Sequence, residues 1–481
     1  MKRKALWISI IGILLIGFVC LFCYRHYIRQ KQIEQKKHTG LVSEDFPVQD
    51  IKHQSKNIYE DAYQTEADNQ LQNMRNNNSY TIEDPLVVWN PYGTNTGSFY
   101  YYGVSEQDSY VVCEVTCNNG SVIKHRLKND SDSGVTKTHE YLITGLAPGL
   151  ENHFSLAFYD AGNNLIHTYQ YTVTLKKDKQ IPAITKVEKG NSKSSLTDGL
   201  FAVLGHDKSK AKNIYYYDNN GICRGKTPLN DYRTDRILTI DGKLVYSYSL
   251  TDIAFVNRLG KVEKTLSLGK YELHHDFMYD EKRNELLCLV NDTDKDTIED
   301  VLISVNIETG KIKKLVDFEK MMKSMRKRSV QRKGGKNTYG GTELDWLHLN
   351  SLDMINDKDA VFSSREESVI IKINNIYENP SIDYLIHSGS LYKGTKYEKL
   401  LLKQKGNFVG HAGQHTITVE KDDTLPNGQY YLYLYNNNFG SAKTLPKFSW
   451  KSYKGVGSYK KGKASYYYKY LVDEKKKTYR L

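Results

Sequence analysis

The stretch that decides the fold reads Tyr271-Glu272-Leu273-His274-His275-Asp276-Phe277. It leads through a turn at Asp280–Asn284 into the apolar run Leu286–Val290, and a second hairpin follows between Val301 and Val316. Two hairpins in series make a four-stranded meander. A chain that repeats this meander is typical of a β-propeller, in which the first strand of each blade lines the central channel.

The same unit returns twice further along the chain. One copy opens with Asp345-Trp346-Leu347-His348-Leu349-Asn350-Ser351, and the next opens with Gly413-Gln414-His415. A propeller would therefore place His274 or His275, His348 and His415 around one axis. Because imidazole titrates near neutral pH, a ring of histidines in a channel is costly to keep for packing alone.

These motifs resemble the bacterial aryl sulfate sulfotransferase family over about 196–481. The matching stretches are His274-His275-Asp276-Phe277, Asp345–Ser351, Ser363-Ser364-Arg365 followed by Ile370–Ile373, and Gln414-His415. The resemblance implies transfer of a sulfuryl group from a phenolic sulfate donor to a phenolic acceptor, without a cofactor and by a ping-pong route through a sulfo-histidine. The resemblance implies the role of each residue. His415 is the nucleophile, Arg365 binds the sulfuryl oxygens, and His348 with His275 or His274 supplies hydrogen-bond donors.

The chemistry of sulfuryl transfer asks for these side-chain types. During transfer, a sulfuryl group resembles a phosphoryl group in its transition state, with charge spread over the outer oxygens. The site needs a nucleophile, a proton donor for the leaving phenolate and fixed positive charge. Arg365 offers a fork to two oxygens, unless it forms only a surface salt bridge with Glu366 or Glu367. Asn350 lies two residues from His348, on the same face of a strand, so we expect it to bind substrate.

The N-terminus predicts a membrane anchor at residues 1–24. Met1-Lys2-Arg3-Lys4 precedes the uncharged run Ala5–Cys23, which at ~19 residues is long enough to span a bilayer. No small-residue cleavage site closes it. We expect a single-pass protein of the cell membrane with its catalytic domain outside the cytoplasm. The flanking charges leave the orientation open, because Arg25 and Arg29 follow the span closely.

The rest of the chain predicts an all-β architecture in three parts. Residues 25–84 form a polar stalk or linker, and its approximate helical stripe predicts either a stalk helix or a small cap on the next domain. Residues 85–178 contain about seven short strands and predict a small immunoglobulin-like β-sandwich. Residues 183–481 form the β-propeller, in which about five blades are recognisable, starting near Leu196. The family it resembles has six, so the last blade is absent or hidden, and unpaired strand edges would favour a homo-oligomer.

Composition and charge limit the classes of partner that the chain is expected to bind. The 481 residues carry a net charge of +12 without an aromatic and basic array, so we expect no nucleic-acid binding. A basic surface would attract anionic aryl sulfates, lipids or cell-wall polymers. The basic insertion Glu319–Gly341 predicts a solvated loop or short helix, or else a rim that collects anions. The six cysteines predict no obligatory disulfide framework.

Two other functions fit parts of the pattern. A membrane-anchored propeller could bind a cell-wall polymer or a protein partner without catalysis, because a fold does not dictate chemistry. The histidine ring with Arg365 argues against that alternative. A metal-dependent hydrolase could use the three histidines with Asp276 nearby. We rank this alternative lower, because Arg365 in the same channel would repel a cation, and we predict no metal.

Overall fold

The computed structural model describes residues 42–43, 48–117, 121–131, 133–175, 177–181, 188, 190, 199–204, 212–230, 234–337, 339–387, 389–440, 443–450, 456 and 464–481. The predicted anchor at 1–24 lies outside them. Within the described residues, no helix combines the length and apolar character needed to cross a membrane. Contacts divide the chain into two compact units, one from 1–203, 209–228 and 258–262, the other from 204–208, 229–257 and 263–481.

The first unit contains a two-layer β-sandwich. Its strands are β1 (Val42–Ser43), β2 (Leu86–Trp89), β3 (Ser98–Cys117), β4 (Val122–Arg126), β5 (Thr136–Thr144), β6 (Glu151–Tyr159) and β7 (Leu165–Thr174). The long strand β3 belongs to both layers, because its first part pairs with β2 and β5 and its second part with β4 and β6. From Val111 to Cys117 every second residue of β3 is buried, as expected for a strand with one face on the core.

Helix α1 (Asp61–Asn77) packs on the sandwich. Ala67 and Leu71, one helical turn apart, bury against Leu86, Val88 and Tyr100. This part of the region 25–84 is therefore a helix docked on a sheet.

A three-stranded sheet completes the first unit. It comprises β8 (Phe201–Val203), β9 (Asn213–Tyr217) and β10 (Cys223–Pro228), in the region where we predicted the first blade. The fully buried Arg224 of β10 donates to Asp218 at 2.7 Å, to Ser121 at 2.7 Å and to the carbonyl of Gly145 at 2.8 Å. A buried guanidinium needs such partners. These bonds explain why this sheet groups with the sandwich.

The second unit consists of consecutive antiparallel meanders. The first meander comprises β11 (Ile237–Ile240), β12 (Lys243–Ser247), β13 (Asp252–Val256) and β14 (Val262–Ser267). The second comprises β15 (Tyr271–Asp280), β16 (Glu285–Asp292), β17 (Val301–Asn306) and β18 (Ile312–Asp317). The third comprises β19 (Leu349–Met354), β20 (Ala360–Ser364), β21 (Val369–Asn374) and β22 (Ser381–Ile386). The last contains β24 (His415–Glu420), β25 (Gln429–Asn436), β26 (Tyr466–Asp473) and β27 (Thr478–Arg480), with β23 (Lys403–Gln404) parallel to β27. Short helices α2 (Phe318–Met321) and α3 (Lys323–Arg326) follow β18, and a 3-10 turn spans Glu398–Leu400.

The first strands of these meanders lie side by side. Strand β15 contacts β11 and β19, and β19 contacts β24. Side chains join β15 to β19 and β19 to β24, since Asp276 accepts from the backbone of Leu352 at 3.1 Å and Ser351 from that of Ile417 at 2.8 Å. Apolar cores fill the space between successive sheets. This is the packing of blades in a β-propeller.

The four cysteines among the described residues are buried and unbonded. Cys113 and Cys117 lie in β3, Cys223 in β10 and Cys288 in β16. Burial raises the pKa of the Cys113 thiol to about 12 and also raises that of Cys288. No disulfide joins these four residues.

Candidate active site

Left-handed backbone marks the heads of three inner strands. The φ angles are 55° at His275, 52° at His348 and 57° at Thr416, and each residue lies in or beside an irregularity in strand pairing. Such a conformation costs a non-glycine residue about 1–3 kcal/mol and persists only where the surroundings impose it. His415 precedes the left-handed residue of its strand, as His274 does. The predicted repeats are therefore out of step by one residue.

The strand heads bring the four predicted histidines together. The ring of His275 lies 4.9 Å from that of His348 and 6.2 Å from that of His415, between centroids. The Nδ1 atoms of His274 and His275 are 3.3 Å apart. Burial lowers the pKa of His274 to about 4 and that of His275 well below its usual value, so both are neutral near pH 7.

His348 is held by two buried carboxylates. Its Nδ1 lies 2.9 Å from each carboxylate oxygen of Asp345 and also contacts Oε2 of Glu299. Burial alone would lower the pKa of His348, but Glu299 and Asp345 outweigh it and raise the pKa to about 9. His348 is therefore an imidazolium near pH 7. Because its Nδ1 proton faces the carboxylates, the Nε2 proton is the one it can give away.

His415 has the opposite charge state. Burial, together with the positive charges of His348 and Arg365, lowers the pKa of His415 to about 4. Its Nδ1 lies 2.8 Å from the amide nitrogen of Asn437, which also donates to the carbonyl of Gly413 at 2.6 Å. Because an amide nitrogen can only donate, Nδ1 of His415 accepts from Asn437, and the neutral ring carries its proton on Nε2 in this arrangement. The contact orients the ring, and turning the Asn437 amide so that its oxygen accepts from Nδ1–H would place the lone pair on Nε2.

The backbone that carries His415 is fixed by amide side chains. The amide nitrogen of Gln414 donates to Ser363 Oγ at 3.1 Å and to the carbonyls of Ser364 at 3.0 Å and Val369 at 3.1 Å. Asn350, buried nearby, donates to the carbonyl of Gln414 at 2.8 Å. In this structure Asn350 therefore positions the strand of His415. Its contact with substrate stays a prediction.

Arg365 brings a guanidinium to the same cluster. Its backbone N–H donates to the carbonyl of His348 at 3.0 Å, which ties the two residues together. The side chain is 27% exposed, and its Nη2 lies 3.9 Å from Oε2 of Glu366. At that distance the ion pair is weak, so the fork of donors is available to an anion.

Among the residues that the structure describes, two sets of side chains come close enough to be considered as metal ligands. Ligand atoms lie within 4.8 Å of one another in His274, His275 and Glu299, and in Glu299, Asp345 and His348. However, Asp345 pairs with Arg332 at 2.6 Å as well as with the His348 imidazolium. Cations already balance these carboxylates, and the arrangement is that of an ion-pair network.

A cavity of about 700 Å³ lies beside the cluster, with His274 in its wall. Its lining includes Tyr339, whose hydroxyl donates to Oε1 of Glu299 at 2.5 Å. Apolar side chains such as Leu250, Leu273 and Ile298 line it as well. This volume is in the range of small-molecule sites.

Glu299, Asp345 and Asn437 were missed by the sequence analysis. Asp345 precedes His348 by three residues, and that spacing could have suggested a carboxylate partner for the imidazole. Glu299 comes from the loop before β17 of another sheet, and Asn437 directly follows β25, so no local pattern links either one to its histidine.

Solved structures give only a distant likeness. A putative 6-phosphogluconolactonase from Bacteroides fragilis is 10% identical, with 78% of this chain and 81% of that chain covered and a TM-score of 0.30. The Cps50 (Swd1) β-propeller domain of Myceliophteria thermophila is 10% identical over 63% and 80%, with a TM-score of 0.26. BamB from Moraxella catarrhalis is 12% identical over 64% and 86%, with a TM-score of 0.26. Scores of this size carry no argument about this chain.

No curated protein matches the sequence. A family model does, and it spans the region that carries the histidine cluster and Arg365. The model is that of Arylsulfotransferase (ASST), and it matches residues 185–481, which is more than half of the chain. The chain belongs to the arylsulfotransferase family.

Proposed function

We propose that this protein transfers a sulfuryl group from a phenolic sulfate ester to a phenolic acceptor through a sulfo-histidine on His415. The observation that supports it best is the pair of opposite charge states in one cluster. His415 is a neutral imidazole and His348 an imidazolium near pH 7. Neighbouring groups with pKa values pushed apart are the arrangement that acid–base chemistry needs.

The first half-reaction uses both histidines and Arg365. With the Asn437 amide turned so that its Oδ1 accepts from Nδ1–H of His415, the lone pair lies on Nε2. This lone pair forms a bond to sulfur while the bond from sulfur to the phenolic oxygen breaks. The electron pair of that bond goes to the phenolic oxygen, which takes the Nε2 proton of His348 and leaves as a phenol. Arg365 binds the outer sulfuryl oxygens, whose charge its guanidinium fork complements.

The second half-reaction is the reverse with a new phenol. The acceptor hydroxyl gives its proton to Nε2 of the now neutral His348, and its oxygen bonds to sulfur as the bond from sulfur to His415 breaks. Because donor and acceptor react along the same line, one aryl site can serve both. The cavity beside His274 offers room for an aryl group.

The test is a transfer assay on the purified full chain. With 4-nitrophenyl sulfate as donor, we expect release of nitrophenol to be much faster when phenol is added, and unchanged by a chelator. A folded sample that shows no stimulation by phenol would contradict the proposal. Activity that chelation abolishes would favour a metal hydrolase, and no turnover at all would favour a binding propeller.

The covalent step has its own readout. Donor alone should add a sulfuryl group to the peptide Phe408–Lys421, detected by mass spectrometry at alkaline pH. His415→Asn should abolish the adduct, because an amide is a poor nucleophile. His348→Asn should slow its formation without moving it. His411 shares the peptide but is fully buried, so an adduct on His411 would overturn the assignment.

A further inference from the structure

One arginine of the basic insertion differs from its neighbours. Lys327, Lys333 and Lys336 are exposed, whereas Arg332 is 8% exposed. Its Nη2 lies 2.6 Å from Oδ2 of Asp345 and 3.7 Å from Oε2 of Glu366. A buried guanidinium between two carboxylates is costly to desolvate, so a general contribution to surface charge does not explain why Arg332 is buried there.

The two carboxylates that Arg332 joins stand behind two different catalytic groups. Asp345 contacts Nδ1 of His348 at 2.9 Å. Glu366 lies 3.9 Å from Nη2 of Arg365, and its other oxygen accepts from the backbone N–H of Thr444 at 2.8 Å. Arg332 therefore shares each carboxylate with a residue that we assign to the reaction.

We propose that Arg332 is a positioning residue for sulfuryl transfer. Its positive charge partly neutralises Asp345, so that His348 can release its proton. It also partly neutralises Glu366, so that Arg365 stays available to the sulfuryl oxygens. This role rests on the proposed function. The guanidinium touches no reacting atom, and it acts through the two carboxylates.

The electrostatic consequence has a definite sign. Without the guanidinium, the charge of Asp345 would act on His348 alone, and the imidazolium would hold its proton more tightly. Glu366, left with one cation, would draw Arg365 into a closer pair. Among the described residues, the charged and titratable groups of this cluster include Glu299, Asp345, His274, His275, His415, Arg332, Arg365 and Glu366, with Tyr339 hydrogen-bonded to Glu299. The single variant alters only Arg332.

The variant is Arg332→Gln in the full chain. By NMR of histidine-labelled protein, we expect the pKa of His348 to rise by about 1 unit. The alkaline limb of the turnover profile should move upward with it. The KM for 4-nitrophenyl sulfate should rise on the order of tenfold, as for the loss of one charge-assisted hydrogen bond. Arg332→Lys, which keeps one charge, should restore part of both effects.

A second substitution separates the effect of Arg332 through Asp345 from its effect through Glu366. Glu366→Gln in the Arg332→Gln background removes the carboxylate that would capture Arg365. The double variant should recover most of the donor KM while the pKa of His348 stays raised. Arg326→Gln is the matched control, because Arg326 belongs to the same insertion and pairs with Asp296 and Glu319. It should change neither quantity.

The outcomes bear on the inference separately from the proposed function. A His348 pKa that stays level or falls in a folded Arg332→Gln protein would overturn it, as would a double variant no better than the single one. If the unmodified chain transfers no sulfuryl group, the proposed function fails. The NMR titration then still decides whether Arg332 restrains His348.

Discussion

His348 and His415 belong to one cluster, yet their pKa values move in opposite directions. Two carboxylates face Nδ1 of His348 and raise its pKa to about 9. His415 has an amide as its hydrogen-bond partner, and burial lowers its pKa to about 4. The difference lies in what each ring touches, because burial alone would lower both values.

Asp345→Asn should lower the pH at which activity is lost. The amide keeps the shape of the side chain but removes one of the negative charges that hold the His348 proton. We expect the alkaline limb of turnover, near the His348 pKa of about 9, to move down by 1 unit or more, which is about the effect of one nearby charge. The measurement is the pH dependence of phenol-stimulated release. A limb that does not move would remove His348 as the acid.

Arg365→Lys should cost turnover despite keeping the charge. Lysine cannot present two parallel donors to two sulfuryl oxygens. We expect a loss on the order of 10²-fold, comparable to that of an oxyanion-stabilising donor. Steady-state kinetics with 4-nitrophenyl sulfate measure it. A lysine variant with near-native turnover would mean that Arg365 is a surface residue loosely paired with Glu366.

At the level of the structural elements, the turn before β24 decides where His415 stands. Gly413 has a φ of 60°, and a Cβ there would lie 2.8 Å from the carbonyl oxygen of Phe439. Its N–H donates to Ser368 Oγ at 2.9 Å. The turn can hold this close approach only with glycine, since a side chain would be strained in φ and would collide with backbone.

Gly413→Ala should therefore reduce activity as well as stability. Gly394 provides the control, because its φ is 73° but no atom lies within 4 Å of a Cβ there. We expect Gly394→Ala to cost about 1 kcal/mol of unfolding free energy with turnover unchanged. Gly413→Ala should cost more and lower turnover at least about tenfold, because small displacements of a nucleophile slow reaction strongly. Equal effects of the two variants would show that the clash is relieved without moving His415.

The sequence could predict the elements better than the contacts between them. The repeated meander predicted sheets and inner strands, since alternation and turns are local signals. The one-residue offset at Thr416 could not be seen, because a bulge changes register without a pattern of its own. Glu299 joins His348 from a neighbouring sheet, and Arg332 joins Asp345 from an insertion that looked like a solvated loop. Such contacts depend on how sheets pack.

At the level of the whole molecule, the buried charged cluster of the candidate active site also contributes to the stability of the fold. Glu299 lies in the loop before β17, whereas Asp345 and His348 lie in the segment before β19, and all three side chains are buried. Loss of the His348 charge would leave Asp345 paired with Arg332 but would leave Glu299 without this cation in a low-dielectric interior, which is strongly destabilising. Titration of His348 should therefore be felt in the folding equilibrium.

Unfolding free energy should fall as pH rises through about 9. The folded pKa of His348 is raised above its usual 6.5, so its contribution is fully present below pH ~6.5 and is lost through the folded pKa. The loss should be on the order of a few kcal/mol. Denaturant unfolding at several pH values measures it, with His348→Asn as the reference. Parallel pH dependence in the two proteins would contradict the assigned ion pair.

The buried thiols give each compact unit its own reporter. Cys113 lies in the sandwich and Cys288 in the propeller sheets, and both have a raised pKa and no exposed surface. Because alkylating reagents react with an exposed thiolate, neither residue can be labelled until its surroundings open. Labelling kinetics in denaturant, followed peptide by peptide, would therefore time the opening of the sandwich and of the propeller separately, in an unmodified chain.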